Sequence, residues 1–452
     1  MKIPGNIKKL AKIFSLNGYQ CYLVGGAIRD IFLGRITADY DIATDATPLE
    51  VSRIFKRVIP TGIKHGTVTV LFYNDKFEVT TFRIDDKYSD SRRPDSVKYT
   101  SSIFDDLKRR DFTINGIAYD IILKKIVDPH NGISDIKTKI IRAIGNPIER
   151  LNEDGLRSLR ACRFAAQLGF KIEKDTVSAI KYSLEVIKSI SCERIRDEFI
   201  KILQSSDPVT GIELLKETGI LEYILPEIFD CIGVEQREMH CFDVYYHSIY
   251  SCGAAPKDDL VLRLAALFHD LGKAKALEYS TEGTPTFYNH EDYSVEIARN
   301  IFVRLKMPNK VITEVCHLVK HHMFNYTEEW TDGAVRRFIS RVHKDSIENL
   351  MRLREADSFG RCNKKESNAG LKSFKIRIAG IIDKDSVFSV KDLKITGRDI
   401  IDKLKINEGP VIGVILNYLL SSVLEDPVLN DHDKLLELSE KLYRQRIQHQ
   451  IE

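Results

Sequence analysis

The chain has 452 residues, 43% of them apolar and 29% charged, which excludes a disordered chain and is too much for one ordinary core, so three or four units are expected. A formal net charge of only +3 excludes nucleic-acid binding through a global field; any such contact must rest on local basic patches. The longest apolar run, Val411 to Leu424, contains Asn417 and two serines, is too short to span a bilayer, and reads as a buried helix. The eight cysteines include no CxxC pair, and Met1 to Gly18 lacks a signal-peptide apolar core. Reduced thiols, a cytoplasmic location and no membrane partner are therefore expected.

From Leu10 to about Ile140, short β-rich runs alternate with short helical ones. Tyr22 to Thr44 reads YLVGGAIRDIFLGRITADYDIAT. Tyr22 to Val24 is a short buried strand, and Gly25-Gly26 a tight turn where backbone can approach a phosphate closely. Ala27 to Leu33 has helical spacing and stops at Gly34. If Thr37 to Ile42 is extended, Asp39 and Asp41 share one face. Two acids so placed repel unless a cation lies between them, and hard oxygen ligands suit Mg²⁺. With Gly26 and Arg29 beside them, these are the parts of phosphoryl or nucleotidyl transfer.

Lys64 to Phe72 and Lys76 to Phe82 are strands joined by a turn at Asn74-Asp75, and Glu78 beside the Asp pair is a candidate third carboxylate. Arg83 to Val97 carries four Asp and three Arg and is expected to be a mobile loop. In Lys108 to Tyr119 (KRRDFTINGIAY) the adjacent Arg109 and Arg110 point apart, so one of them meets phosphate. Asp111 and Asn115, four apart on a helical turn, hold a ribose hydroxyl or each other.

After Ile140 the pattern turns helical, with almost no strand signal. Asn152 to Phe170 is an amphipathic helix through Leu156, Leu159, Ala166 and Leu168, which places Asp154 and Arg157 on one face. A carboxylate accepts from the exocyclic amine of cytosine or adenine while Arg donates to a ring nitrogen or carbonyl. Uracil and guanine reverse both polarities, at about 1–3 kcal/mol per unsatisfied group. Breaks are expected at Ser205 to Asp207, before Pro208, and at Arg361 to Lys372. His247, the adjacent His269-Asp270 and Asp357 can together bind one divalent metal, with His290 and His322 as candidates for a second site. Gly409-Pro410 starts a further helix.

GGAIRD with LGRITADYDIAT resembles the signature of the nucleotidyltransferase superfamily branch that holds bacterial tRNA nucleotidyltransferases and poly(A) polymerases. KRRDFTINGIAY is similar to the RRDFTINA block of the branch, with Gly116 in place of its Ala, and EDGLRSLRACRF resembles the EDxxR block of class II CCA-adding enzymes. The resemblance implies an α+β fold: a small mixed-sheet nucleotidyltransferase head over 1–140, an all-helical neck over 141–206, a body over 207–365 and a tRNA-binding tail over 366–452. It implies addition of C, C and A to the tRNA 3′ end from CTP and ATP, with Arg110 on the phosphates, Asp154 and Arg157 on the base, and Arg160 and Arg163 in the nucleotide pocket. Ser191 to Leu203 resembles the supporting helix that follows. The order of His247, His269-Asp270 and Asp357 resembles the HD metallohydrolase superfamily and implies a metal-dependent phosphohydrolase module. PTGIKHGTVTV stands where poly(A) polymerases carry a basic run. A poly(A) polymerase, a CC-only or A-only enzyme of a split pair, an HD hydrolase with a nucleotide-binding head, and an RNA-binding scaffold are the alternative readings. Lys441, Arg444 and Arg446 are candidates for the tRNA backbone.

Overall fold

The computed structural model describes residues 3–35, 40–85, 97–236, 240–363 and 369–447. The chain divides into two compact units, one of 1–229 with 301–307 and one of 230–300 with 308–452.

The first unit is built on short strands. They are β1 (Tyr22–Val24), β2 (Asp41–Thr44), β3 (Val58–Gly62), β4 (Thr67–Phe72), β5 (Asp75–Thr81), β6 (Arg83–Asp85), β7 (Val97–Tyr99), β8 (Ala118–Asp120) and β9 (Lys125–Val127). Seven form one sheet in the order β3-β4-β5-β2-β1-β8-β9, and β6 pairs with β7. Within that sheet β2 and β5 run parallel while the other neighbours are antiparallel, so the sheet is mixed, as expected. Alternation makes β1 apolar on both sides: Tyr22 and Val24 pack with Ala43, Phe82, Leu107 and Ala118, and Leu23, completely buried, points the other way. Helix Gly5–Leu16 buries Ile7, Leu10, Ala11 and Phe14, the spacing of one helical face. The expected loop at 83–97 is bounded by the β6–β7 pair; its interior, 86–96, lies outside the described residues.

Beyond residue 140 helices dominate, but two small sheets interrupt them. Ile140–Ile141 pairs in parallel with Lys171–Ile172, and Glu278–Tyr279 pairs antiparallel with Pro285–Thr286. Strands of two residues leave no period to read, which is why the sequence pattern misses them. The helix expected over 152–170 is broken. One helix ends at Glu153, Asp154 is extended with φ −147° and ψ 104°, and a second helix runs from Leu156 to Leu168. The Asp154 carboxylate accepts from the Leu156 N–H at 3.1 Å, a local side-chain turn that leads into the second helix. A Cβ on Gly155 would stand 3.1 Å from the Val186 carbonyl oxygen, so the break is packed tightly.

In the second unit, helix Pro410–Glu425 starts at Gly409-Pro410 as expected. It is one-faced rather than wholly buried: Ile415, Leu419 and Val423 join Ile400, Leu435 and Leu442 in a core, while Val414 is 58% exposed. Among the described residues no helix is long and apolar enough to cross a membrane. The expectation of reduced thiols is corrected at one pair. Cys241 and Cys362 are joined as a disulfide across 121 residues, with their Cα atoms 4.9 Å apart, a separation in the normal range for such a bond.

Candidate active site

A cavity of about 1120 Å³ in the first unit is lined by the Gly25-Gly26 turn, Asp41, Glu78, Arg110, Asp154 and Arg157, among others. Gly25 has φ +69°, and a Cβ there would lie 3.0 Å from Arg110 Nη1 and 3.4 Å from Asp41 Oδ2. The turn thus separates a guanidinium from a carboxylate with no room for a side chain. Asp41 stands in register with Val24 on one side and Glu78 on the other, which puts the expected third carboxylate beside it. Asp39 lies outside the described residues.

The adjacent Arg109 and Arg110 do not diverge. Both reach the buried Asp106, Arg109 at 2.7 Å on one oxygen and Arg110 at 3.1 Å on the other. Spacings of three and four residues bring both onto one helical face. Asp111 and Asn115 hold each other: Asn115 Nδ2 donates to Asp111 Oδ1 at 3.0 Å. Asn115 Oδ1 accepts from Arg29 at 2.8 Å, and Arg160 donates to Asp111 Oδ2 at 2.8 and 2.5 Å. Helix Leu156–Leu168 is thereby tied to the helix that follows the glycine turn. Burial alone would raise the Asp111 carboxyl; Arg160, Asn115 and the Phe112 N–H outweigh it and hold it well below the usual carboxylate range.

Three guanidinium groups surround one ring. Arg163, Arg29 and Arg160 lie 4.2, 5.0 and 5.3 Å from the Phe164 centroid, the distance at which the ring's negative face attracts cations. Burial first, and the neighbouring Arg160 second, push Arg163 down to about 10.

Asp154 and Arg157 both line this cavity and the Arg157 N–H donates to the Asp154 carbonyl at 2.9 Å, but their side chains are not paired with each other. Asp154 Oδ2 accepts from Arg194 at 2.7 Å. Arg157 donates to Glu153 at 2.5 Å and to the Arg150 and Arg109 carbonyls at 2.7 and 3.3 Å. The helix break at Asp154 removes the geometry that a continuous helix would have imposed. Arg163 meets Glu198 at 3.2 Å. Phe164, Asp106, Arg194 and Glu198 escape sequence reasoning; the only signal was that the last two sit on the helix taken as support.

A second cluster lies in the other unit, beside a cavity of about 420 Å³. His247, His269 and Asp357 form one trio and His269, Asp270 and His322 another, each with ligand atoms within 4.8 Å of one another. His247 Nε2 lies 3.2 Å from Asp270 Oδ2 and 3.3 Å from Asp357 Oδ1. His290 and His322 Nε2 lie 3.2 and 3.4 Å from Asp270 Oδ1. Asp270 therefore faces the two histidine pairs with opposite oxygens. His269, His290 and His322 each donate Nδ1–H to a backbone carbonyl, of Ala266, Phe287 and Val319. This fixes the tautomer and leaves every Nε2 lone pair turned inward, the usual preparation of metal-binding imidazoles. The donor set fits a divalent cation, because buried lone pairs and carboxylates converging this closely need positive charge among them.

Of the candidate tail cations, Arg444 pairs with Glu440 one turn away, Lys441 is exposed, and the Arg446 side chain lies outside the described set.

Residues 21–142 match a family model described as "Poly A polymerase head domain", 169–232 one described as "Probable RNA and SrmB- binding site of polymerase A", and 281–438 one for tRNA nucleotidyltransferase domain 2. The chain is 31% identical over 451 residues to the CCA-adding enzyme of Ligilactobacillus salivarius, covering 98% of this chain and 99% of that one. Identity to the Enterococcus faecalis CCA-adding enzyme is also 31%, over 97% of each. Among solved structures, the Bacillus stearothermophilus CCA-adding enzyme in complex with CTP superposes with a TM-score of 0.76 at 28% identity, covering 99% of this chain and 100% of that one.

Proposed function

The chain belongs to the family of CCA-adding enzymes, and on that premise we propose that it adds C, C and A to the 3′ end of tRNA from CTP and ATP, without a nucleic-acid template, releasing pyrophosphate. The observation that carries this reading is one cavity lined by Asp41, a glycine turn, a crowd of arginines, and both Asp154 and Arg157. The tRNA 3′-hydroxyl attacks the α-phosphorus, and Gly26, Arg29, Arg110, Arg160 and Arg163 hold and neutralise the triphosphate. Asp39 and Asp41 would hold Mg²⁺, which when bound activates the hydroxyl and offsets charge on the leaving pyrophosphate. Asp154 accepts from the exocyclic amine of C or A and Arg157 donates to the ring. Each carboxylate oxygen has two lone pairs, so Asp154 can do this without releasing Arg194. The protein works in the cytoplasm, and its head, neck, body and tail divide at residues 140, 206 and 365. The test uses tRNA transcripts ending in the discriminator base, in C or in CC, each given CTP, ATP or both. Two Cs and one A followed by a stop support the reading. Extension of a single transcript would mean a split-pair enzyme, and a long A tail a poly(A) polymerase.

The converging histidines favour a second activity at a different place, metal-dependent hydrolysis of phosphate esters. His247, His269, Asp270 and Asp357 would hold one divalent cation, with His290 and His322 extending the set from the other side of Asp270. When bound, the cation would supply an activated water. Lys273 and Arg354, 2.6 and 2.7 Å from Asp270 and Asp357, would meet the phosphate. Hydrolysis of bis-p-nitrophenyl phosphate with Mn²⁺ tests this; no turnover and no Mn²⁺ uptake would sink it.

A further inference from the structure

The segment before His247 and the end of helix Lys344–Cys362 meet at the rim of the second cavity. His240 and Arg361 both line it, and each is followed directly by a cysteine of the Cys241–Cys362 disulfide. The Cys241 N–H donates to the Arg361 carbonyl at 2.8 Å. Inside the rim, the His240 ring stands edge-on to His247 at 5.2 Å, with its Nδ1 buried and without a hydrogen-bond partner among the described residues. Arg361 Nη2 lies 3.9 Å from Asp357 Oδ2. One covalent link therefore fixes two side chains that abut two members of the metal-binding cluster. Cys241 is exposed and Cys362 half-buried, so exchange reagents can reach them. Five of the six free cysteines are buried, and burial pushes the Cys162 and Cys252 thiols up to about 12, leaving them inert.

We propose that Cys241 and Cys362 form a reversible thiol–disulfide clasp that regulates the His/Asp cluster: closed, it holds His240 and Arg361 against the site; open, it releases them and weakens metal and phosphate binding. The clasp rests on the reading that the cluster binds a divalent metal. In the cytoplasm a disulfide is more often a redox sensor than a permanent staple, which agrees with an accessible pair. Closure proceeds by exchange with a small disulfide such as glutathione disulfide. One cysteine thiolate attacks it and expels a thiolate; the second cysteine thiolate attacks the resulting mixed disulfide and expels the other. Two electrons pass from the cysteines to the small disulfide, and each cysteine gives up its proton. A dithiol reverses the sequence.

The experiment uses the full chain, oxidised with glutathione disulfide or reduced with dithiothreitol, each then desalted without air, beside Cys241→Ser. Thiol labelling with mass spectrometry should show two more free thiols in the reduced wild type. Mn²⁺ titration should give about tenfold weaker binding after reduction, the low end of effects seen when groups around metal ligands are disturbed. Cys241→Ser should behave as reduced in either buffer. Amide exchange over 240–247 should quicken on reduction, while CTP addition to tRNA stays unchanged. A disulfide that forms but leaves Mn²⁺ affinity and exchange unaltered overturns the clasp, as does failure of the disulfide to form. Absence of Mn²⁺ binding in both forms instead overturns the metal reading beneath it.

Discussion

Phe164 presents its ring to three guanidinium groups that would otherwise repel one another across a part-buried space. Each cation–π contact is worth about 0.5–2 kcal/mol and adds to the carboxylates of Asp111, Glu198 and Asp30 in holding the arginines. Phe164→Leu keeps apolar volume but removes the negative face. It should raise KM for CTP and ATP about fivefold to tenfold with little change in fold; steady-state kinetics with unchanged KM would mean the ring is only packing. Asp111 argues for a pH effect. Its carboxyl is held well below the usual range against the pull of burial, by Arg160 first and by Asn115. A depressed carboxyl stabilises the fold fully above its unfolded pKa, about 4, and loses that contribution as pH falls through its folded value. The urea midpoint followed by circular dichroism should therefore drop below about pH 4. Asp111→Asn should flatten that limb and cost about 1–3 kcal/mol at neutral pH. An acid limb identical in the variant would place the sensitivity elsewhere.

Between elements, close backbone approach does what side-chain pairing cannot. A Cβ on Gly360 would stand 2.0 Å from Ser251 Oγ and 2.8 Å from the His247 carbonyl oxygen, so helices Val244–Ala254 and Lys344–Cys362 touch where they carry His247 and Asp357. Gly360→Ala must push these helices apart. Overpacking of this kind costs about 1–3 kcal/mol, seen as a lower melting temperature, and should weaken Mn²⁺ binding more than its small chemistry suggests. A variant that melts like wild type and binds Mn²⁺ equally would show that the helices can slide. The break at Asp154 is a comparable device. By ending one helix ahead of the next, it places the carboxylate at the cavity, one oxygen on the Leu156 N–H and the other on Arg194.

At the scale of the molecule, the two carboxylate-bearing sites belong to different compact units, each with its own ligand set. Their activities should therefore separate. Asp41→Ala should lower tRNA extension by at least about 10³-fold, several kcal/mol of lost charge stabilisation at about 1.4 kcal/mol per decade, and leave Mn²⁺ uptake at the histidine cluster intact. His269→Ala should do the reverse. Loss of both functions in either variant, with circular dichroism unchanged, would contradict separate sites.

Features set by neighbours in the chain were legible. Short apolar and alternating runs marked β1, β4 and β5 of the mixed sheet, whereas β3, β8 and β9 were not read from the sequence. Gly25-Gly26 marked the turn, Gly34 and Pro208 marked helix boundaries, and the adjacency of His269 and Asp270 marked the second cluster, because backbone preference and periodicity act over a few residues. What the tertiary structure decided is which partner each polar group takes. Spacing made Asp154 and Arg157 neighbours, yet Arg194, 40 residues on, takes one and Glu153 the other. Arg160 reaches back 49 residues to Asp111, and Cys241 finds Cys362 across 121. Such choices depend on which groups the folded chain brings within about 3 Å of each other, and no window of sequence contains that distance.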